Sequence, residues 1–427
     1  MFKEGIKTYL RNGDIAYFIT AGIMVVLPVH YKYLPPLMIL LGLSWIFENY
    51  SGFGEMFRTR SVCRNLFIAF LVFYLWQITS LLYTDDLKMG LLNVFGRLSL
   101  LVFPLLLFHP AEKISLNVLR LLRIFSLSTA IFTVSCFVYA LYRSLSFQGG
   151  SWIFNPHPAE FDWQNYFYGP DLTYSIHPSY LAMFVLLSVF ISFESWYDHS
   201  LKVKFRFGWL FLGILLSFSI YFISSRAGIL AGILMISFYA INKMIKHKKS
   251  RILWILVVVI LIFSLPLIRK NERVNNLLKG FSEEEGINLR NQDERLIIWR
   301  SAIDLIRQNP ILGVGIGDVR AELTGEYIRA GEEKLSRERL NAHNQFLEVF
   351  IEVGVIGFIM FITILGFMIF IAVNEKNLLY GLFILLMFVF FMFETVLYRL
   401  AGVAFFSLFS FIIPQMSRYR TYTANTK

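Results

Sequence analysis

Long apolar runs recur along the chain, divided by short charged or turn-forming stretches. Many are roughly 17 residues or longer, enough for a helix to cross a hydrocarbon core of about 30 Å. They predict twelve helical spans, near 15–30, 34–48, 65–84, 91–108, 123–143, 176–195, 207–224, 227–242, 252–268, 346–373, 377–394 and 399–415. The second is short and opened by Pro35-Pro36, and the seventh and eighth form a tight hairpin joined by SSRAG. A transmembrane barrel would show short alternating segments instead of continuous runs. The expectation is an all-α polytopic membrane protein in three parts: 1–268 with nine spans, a loop at 269–345, and 346–427 with three spans and a tail. Inside the loop, DERLIIWRSAIDLIRQNP changes to a helical period. Leu296, Ile298, Trp299, Ala302, Ile303 and Ile306 fall broadly on one face, and Asn309-Pro310 stops the run. This predicts an amphipathic helix over about 293–308, lying along the membrane surface.

Composition agrees with that pattern. Of 427 residues, 56% are hydrophobic and 16% charged, where a soluble domain carries roughly 25% charged residues. The formal charge of +11 raises nucleic acid as a partner, but the distribution of Lys and Arg gives another account. With the N-terminus inside, the inner segments hold Lys3, Lys7, Arg11, Arg58, Arg60, Arg64, Lys113, Arg120, Arg123, Lys202, Lys204 and Arg206. They continue with the run Lys243, Lys246, Lys248, Lys249 and Arg251, and with Lys376, Arg418, Arg420 and Lys427. The short outer loops hold Lys32 and Lys88. That asymmetry predicts both termini in the cytoplasm and excludes the need for a nucleic acid. The 269–345 loop then lies outside; its thirteen Lys/Arg balance its thirteen Asp/Glu, as in a solvated subdomain. Cys63 falls in a short loop and Cys136 within a span, so no intramolecular disulfide is expected. No A-x-A-like cleavage site follows the basic MFKEGIKTYLRNGD, which makes the first run an uncleaved span.

The residues that could carry chemistry gather at the outer rim. His343 and Asn344 stand at the mouth of the tenth span, where the positive end of the helix disfavours imidazolium and leaves a neutral base. The alternative is a histidine that only caps the helix. Arg226, in SSRAG, presents a guanidinium able to fork onto phosphate oxygens, or one that merely contacts headgroups. Arg295 and Arg300 lie on the surface helix, with Arg290 a weaker candidate, and each could equally be a solvated face. Glu348 and Glu352, one turn apart inside the tenth span, need partners: His343, the arginines or a polar entry. Gly354 and Gly357 leave room for close helix packing. Trp152, Phe154, Trp163, Tyr166, Phe167 and Tyr168 in the 144–175 loop suit an interfacial belt or sugar stacking. His177-Pro178 reads as turn chemistry, and GVGIGD at 313–318 as a turn after the surface helix. Arg97, within the fourth span, has no role in this picture. No His/Cys/Asp cluster has metal-ligand spacing, so neither metal nor cofactor is expected.

Together these features resemble the O-antigen ligase family, a superfamily that also holds O-antigen polymerases and protein O-oligosaccharyltransferases. The resemblance rests on the twelve-span layout, the long outer loop between spans nine and ten, and three motifs. HNQFLEVFIEVGVIG, from His343 to Gly357, follows the family's pattern of His-Asn/Ser/Gln, nine residues, Gly, two residues, Gly. SSRAG is similar to its arginine-bearing turn, and RLIIWRSAIDLIRQNPILGVGIGD to its Arg-x-x-x-Trp helix followed by Pro-x-x-Gly-x-Gly. The resemblance implies a GT-C-type glycosyltransferase of the bacterial inner membrane, acting at the periplasmic face without a metal. Its donor would be a glycan on undecaprenyl pyrophosphate. Its acceptor hydroxyl would belong to lipid A-core in a ligase, to a second lipid-linked glycan in a polymerase, or to a protein. His343 would be the base, with Arg226, Arg295 and Arg300 holding pyrophosphate and Asn344, Glu348, Glu352, Gly354 and Gly357 supporting them. The rival from another class is a transporter, which would set its ionisable groups at mid-membrane on broken helices in repeated halves.

Overall fold

A computed structural model describes residues 14–49, 63–108, 112–157, 165–246 and 294–416. The predicted ninth span at 252–268, Arg290, Trp163 and the first part of the outer loop lie outside the described residues. Sixteen α-helices occur among the described residues: α1 Asp14–His30, α2 Leu34–Asn49, α3 Arg64–Thr79, α4 Leu87–Gly96, α5 Ser99–Leu107, α6 Glu112–Leu116, α7 Val118–Ser144, α8 Pro178–Trp196, α9 Val203–Ile223, α10 Arg226–Lys246, α11 Glu294–Gln308, α12 Val319–Arg329, α13 Glu333–Glu338, α14 Gln345–Asn374, α15 Leu378–Phe393 and α16 Leu400–Ile412. The one sheet there is a small antiparallel hairpin, β1 Leu145–Gln148 with β2 Ser151–Phe154, turned by Gly149 and Gly150 at φ 58° and 81°. Those two positive φ values are what a two-residue hairpin turn demands, and the sequence reading had no strand there.

Eight helical stretches are long and apolar enough to cross a membrane among the described residues, and 378–393 and 400–415 are shorter apolar ones. The first stretch, Ile15–Phe47, is not straight. His30 leaves the helical region at φ −158°, ψ 75°, and a side chain on Gly22 would lie 3.9 Å from Leu37 Cδ1. A straight helix would hold those positions roughly 22 Å apart. Residues 15–30 and 34–48 are therefore two legs of a hairpin, as the apolar pattern divides them. The 87–107 stretch also breaks, at Arg97-Leu98, into α4 and α5.

Two helices form the centre. Almost every side chain of α8 and α16 is buried, so they are apolar all round rather than along a stripe. Phe125, Phe184, Phe383, Phe405 and Phe409 interlock between them and α7 and α15, with neighbouring rings 4.8–6.2 Å apart. The outer-loop helices have a second, separate core of Ile298, Ala302, Leu305, Val319, Leu323, Tyr327 and Leu335, closed by Ile351 of α14. Of the face expected for α11, Ile298 and Ala302 are buried with Ser301 and Leu305, and Trp299 and Ile306 pack against the same core, whereas Leu296 and Ile303 are exposed. The buried side of the helix docks on α12 and α14, because a folded subdomain offers it a packed partner.

Candidate active site

The start of α14 is a local device written in four residues. Asn344 is the helix cap: its Oδ1 accepts from the amides of Phe346 at 2.9 Å and Leu347 at 3.2 Å. His343 is therefore released from capping. It sits one residue earlier in the left-handed region, φ 45°, where its amide donates to Asn341 Oδ1 at 3.2 Å. A non-glycine residue held there costs of order 1–3 kcal/mol and marks a constrained position. Glu348 contributes to the constraint by accepting from the Ala342 amide at 3.0 Å. The partner of Glu348 among the described residues is thus backbone beside His343.

Opposite His343 stands Glu394, just past α15. Its Oε2 is 3.8 Å from His343 Nδ1, an ion-pair contact longer than a hydrogen bond. Its Oε1 accepts the Ser179 hydroxyl at 2.7 Å. His177 caps α8 by accepting from the Ser179 amide through Nδ1 at 3.3 Å. The buried Gln345 ties the two segments together: its Oε1 accepts from the Leu397 amide at 2.7 Å. Burial alone would raise the Glu394 carboxyl, but His343, the Ser179 hydroxyl and His177 outweigh it and hold it below the usual carboxylate range. Burial also pushes His177 toward its neutral form. Arg399 and His343 act in the same direction, against Glu394.

Arg226 enters from the other side. Ser224 ends α9 in a left-handed conformation, φ 52°, and the Ser225 hydroxyl accepts from the Gly228 amide at 3.1 Å to start α10. The turn therefore puts Arg226 at the first position of a helix. A cavity of about 350 Å³ opens there, lined by Arg226, Arg295, His177, Ser179, Ser224 and Glu394 among others. Arg295 lies on α11 with its guanidinium 5.8 Å from the centre of the Phe393 ring. The arrangement joins two cations, a carboxylate and a neutral histidine around one open volume, with His343 against the carboxylate. Arg300 is exposed on α11 and does not line this cavity.

Below the rim, α14 breaks at Gly354, φ 65°, ψ −169°. The break takes carbonyls out of the helix ladder, and each needs a donor. Val314 donates its amide to Ile351 at 2.8 Å, Gly315 to Glu352 at 3.0 Å, and Trp76 its indole N–H to Val353 at 3.1 Å. The Val355 amide donates to Pro310 at 2.9 Å. The 310–317 segment is thus more than a turn: it docks into the broken helix. A side chain at Gly354 would strike Ile311 O at 2.0 Å, and one at Gly357 would meet Trp76 at 3.0 Å. Gly357 serves close packing against α3, as expected, whereas Gly354 makes room for the loop. Asp318 fixes the far end by accepting from Thr84 Oγ1, the Asp85 amide and the Asp86 amide at 2.7–2.8 Å.

Glu352 and Arg97 explain each other. Both Arg97 terminal nitrogens donate to the Glu352 carboxylate, one at 2.7 Å, and both residues are 2% exposed. The sequence left Arg97 without a role and Glu352 with several candidate partners, Arg97 not among them. They are 255 positions apart.

Residues 211–362 match the family model of Wzy_C, O-antigen ligase. This segment, a little over a third of the chain, is similar to the O-antigen ligase family. The matched segment runs from α9 through the break in α14. It includes Arg226, Arg295, Arg300, His343, Asn344, Glu348, Glu352, Gly354 and Gly357. Among curated proteins none matches. Arg97, His177 and Glu394 lie outside the matched segment, yet Arg97 pairs with its Glu352, Glu394 contacts its His343, and His177 lines the cavity with its Arg226 and Arg295. Sequence reasoning missed Glu394 and set His177 aside. The signal for Glu394 was present: one acid at the edge of two apolar segments, in MFETVLY, where an ionisable group needs a reason.

Proposed function

We propose that this O-antigen ligase/polymerase superfamily member is a GT-C-type, inverting glycosyltransferase. It moves a glycan from undecaprenyl pyrophosphate to an acceptor hydroxyl, that of lipid A-core in a ligase or of a second lipid-linked glycan in a polymerase. The single observation that carries the reading is the convergence of Arg226 and Arg295 on the cavity whose wall, Glu394, contacts His343. The Lys/Arg asymmetry supports an inner-membrane protein with both termini in the cytoplasm and this cavity toward the periplasm.

The chemistry follows from the groups present. Glu394 beside Nδ1 favours the tautomer protonated there, which leaves Nε2 of His343 to accept. As the acceptor oxygen attacks the anomeric carbon, its proton passes to Nε2, and the bond from that carbon to the pyrophosphate oxygen breaks. Negative charge grows on the leaving pyrophosphate, and the guanidinium groups of Arg226 and Arg295 meet it with forked hydrogen bonds. Glu394 stabilises the imidazolium that forms, as a carboxylate does for the histidine of a hydrolase triad. Glu348 and Asn344 act earlier, by fixing the backbone on either side of His343.

Transfer from a purified lipid-linked donor tests this directly. Arg226→Ala and Arg295→Ala should each reduce transfer by about 10²–10³-fold, the scale for losing one donor to developing charge. Arg300→Ala should reduce it far less, and EDTA should leave the wild-type rate unchanged. Wild-type rates in both cavity variants would remove the pyrophosphate clamp from the mechanism.

A further inference from the structure

The hairpin of β1 and β2 follows directly on α7, which ends at Ser144, and it has two unlike faces. Its register pairs Leu145 with Phe154, Ser146 with Ile153, Phe147 with Trp152 and Gln148 with Ser151. Side chains alternate between the two faces of a strand. Leu145, Phe147, Trp152 and Phe154 therefore share one face, and Ser146, Gln148, Ser151 and Ile153 the other. All four residues of the first face are exposed, Phe147 to 61% and Trp152 to 71%, with those two rings 5.4 Å apart. A lone two-stranded hairpin is marginal in water, so this face calls for a cover.

The preceding helix indicates what the cover is. Leu127, Ile131, Val134, Val138 and Tyr142 are exposed on α7, and their spacing of three and four residues draws one stripe along it. On a helix that spans a membrane, such a stripe faces hydrocarbon. The next step of the same period is Leu145, the first residue of the apolar hairpin face, so the lipid-facing stripe runs on into the hairpin. Arg123 and Arg143 set the depth. They stand twenty residues apart on α7, about 30 Å of helix, which is about the thickness of the hydrocarbon core. The Arg143 guanidinium lies 4.8 Å from the Tyr139 ring centre and 4.3 Å from that of Tyr166, and it donates to the Asp171 carbonyl. Asp171 follows Pro170, which lines the cavity with Arg226 and Arg295. The hairpin thus leaves α7 where hydrocarbon gives way to headgroups, on the cavity's side of the membrane.

We infer that the hairpin docks on the lipid surface itself, dipping Leu145, Phe147, Trp152 and Phe154 into the interface and turning Ser146, Gln148 and Ser151 to water. Trp is favoured at that level of a bilayer. A saccharide is the other natural partner of flat rings. It would need polar groups beside them to meet its hydroxyls, and on this hairpin the polar side chains stand on the opposite face. Residues 145–154 carry no charge, so the apolar face, and not lipid charge, draws the hairpin in. The placement is independent of the chemistry proposed for His343.

Spin-label accessibility of the full-length protein in phosphatidylcholine vesicles tests this. With the buried Cys63 and Cys136 replaced by alanine, Phe147→Cys, Gln148→Cys, Ser151→Cys and Trp152→Cys each carry a single nitroxide. Each variant keeps at least three of the four apolar residues, so the hairpin retains its anchor. At 147 and 152, collisions with oxygen, which concentrates in lipid, should exceed those with a water-soluble nickel chelate several-fold. At 148 and 151 the chelate should dominate. Adding phosphatidylglycerol to the vesicles should leave this alternation unchanged. Dominance of the chelate at all four positions would put the face in water, open to a saccharide, and would overturn the inference. Few collisions with either reagent at 147 and 152 would mean that protein covers the face, as in contact with a second copy, and would overturn it as well. A lipid signature seen only with phosphatidylglycerol would overturn the apolar origin of the contact. If the cysteine-free protein melts below the wild type, the two natural cysteines can stay, because their burial shields them from the label.

Discussion

At the scale of single residues, the site depends on a division of labour that the start of α14 makes explicit. Asn344 caps the helix, so His343 is available for chemistry although it is only one position away. Glu394 is the residue whose removal separates orientation from donor binding. Glu394→Gln keeps the shape and the contact with the Ser179 hydroxyl but removes the negative charge facing Nδ1. Transfer should fall by about 10²–10⁴-fold, the range for disabling a positioned base, while binding of the lipid-linked donor is retained; unchanged turnover would reduce Glu394 to a structural anchor. The pH dependence has a definite sign. The Glu394 carboxyl is held below its ordinary range, so it stays charged as pH falls through the range in which an imidazole takes up a proton. Loss of transfer on acidification to about pH 5 should therefore not come from Glu394, whose carboxylate is still ionised there. The stability that Glu394 contributes is present above its unfolded value of about 4.3 and is lost only as pH falls through the lower, folded value.

At the scale of elements, the broken helix α14 connects the site to the rest of the bundle. Its first half carries Asn344, Glu348 and Glu352; its break receives the 310–317 segment; its second half crosses the bundle. The Arg97–Glu352 pair locks the break to the break between α4 and α5. A pair so placed is costly to break, because removal of either partner leaves a buried charge. Gly354 is the critical position. Gly354→Ala adds a Cβ at 2.0 Å from Ile311 O and forces an alanine to φ 65°. The left-handed backbone alone costs of order 1–3 kcal/mol, and relief of the clash requires the loop to leave. The variant should insert, melt several degrees below the wild type and lose most transfer, as α11 and Arg295 move with the loop. Gly366, where an added Cβ meets no atom within 4 Å, supplies the control: Gly366→Ala should be close to wild type in both measurements. Equal melting of the two variants would mean that the loop does not depend on the break.

At the scale of the whole molecule, most helices were legible because a membrane leaves so few alternatives: an apolar run of sufficient length must pair its own backbone groups. The hairpin of α1 and α2 was legible for the same reason, from two runs parted by Tyr31–Tyr33 and Pro35-Pro36. What the pattern did not contain were contacts between distant positions. Arg97 read as a charge without a role and Glu352 as an acid whose partner stayed open, since only the fold brings the two together. Gly354 read as a small residue for packing, because nothing local shows that a loop enters the helix there. The site was half legible. Its cations and its histidine carry motifs, while Glu394 and His177 belong to span edges where capping and turn chemistry explain such residues equally well. The account as a whole stands on His343 as the base for transfer. The most direct measurement is transfer from a purified lipid-linked donor by wild type and His343→Asn side by side. Asn tolerates the left-handed backbone at this position, and the cap remains with Asn344, so the variant should express and melt like the wild type. Transfer should be about 10²–10⁴-fold slower, with donor binding intact. Turnover near that of the wild type would contradict the assignment of His343 as the base and, with it, the mechanism.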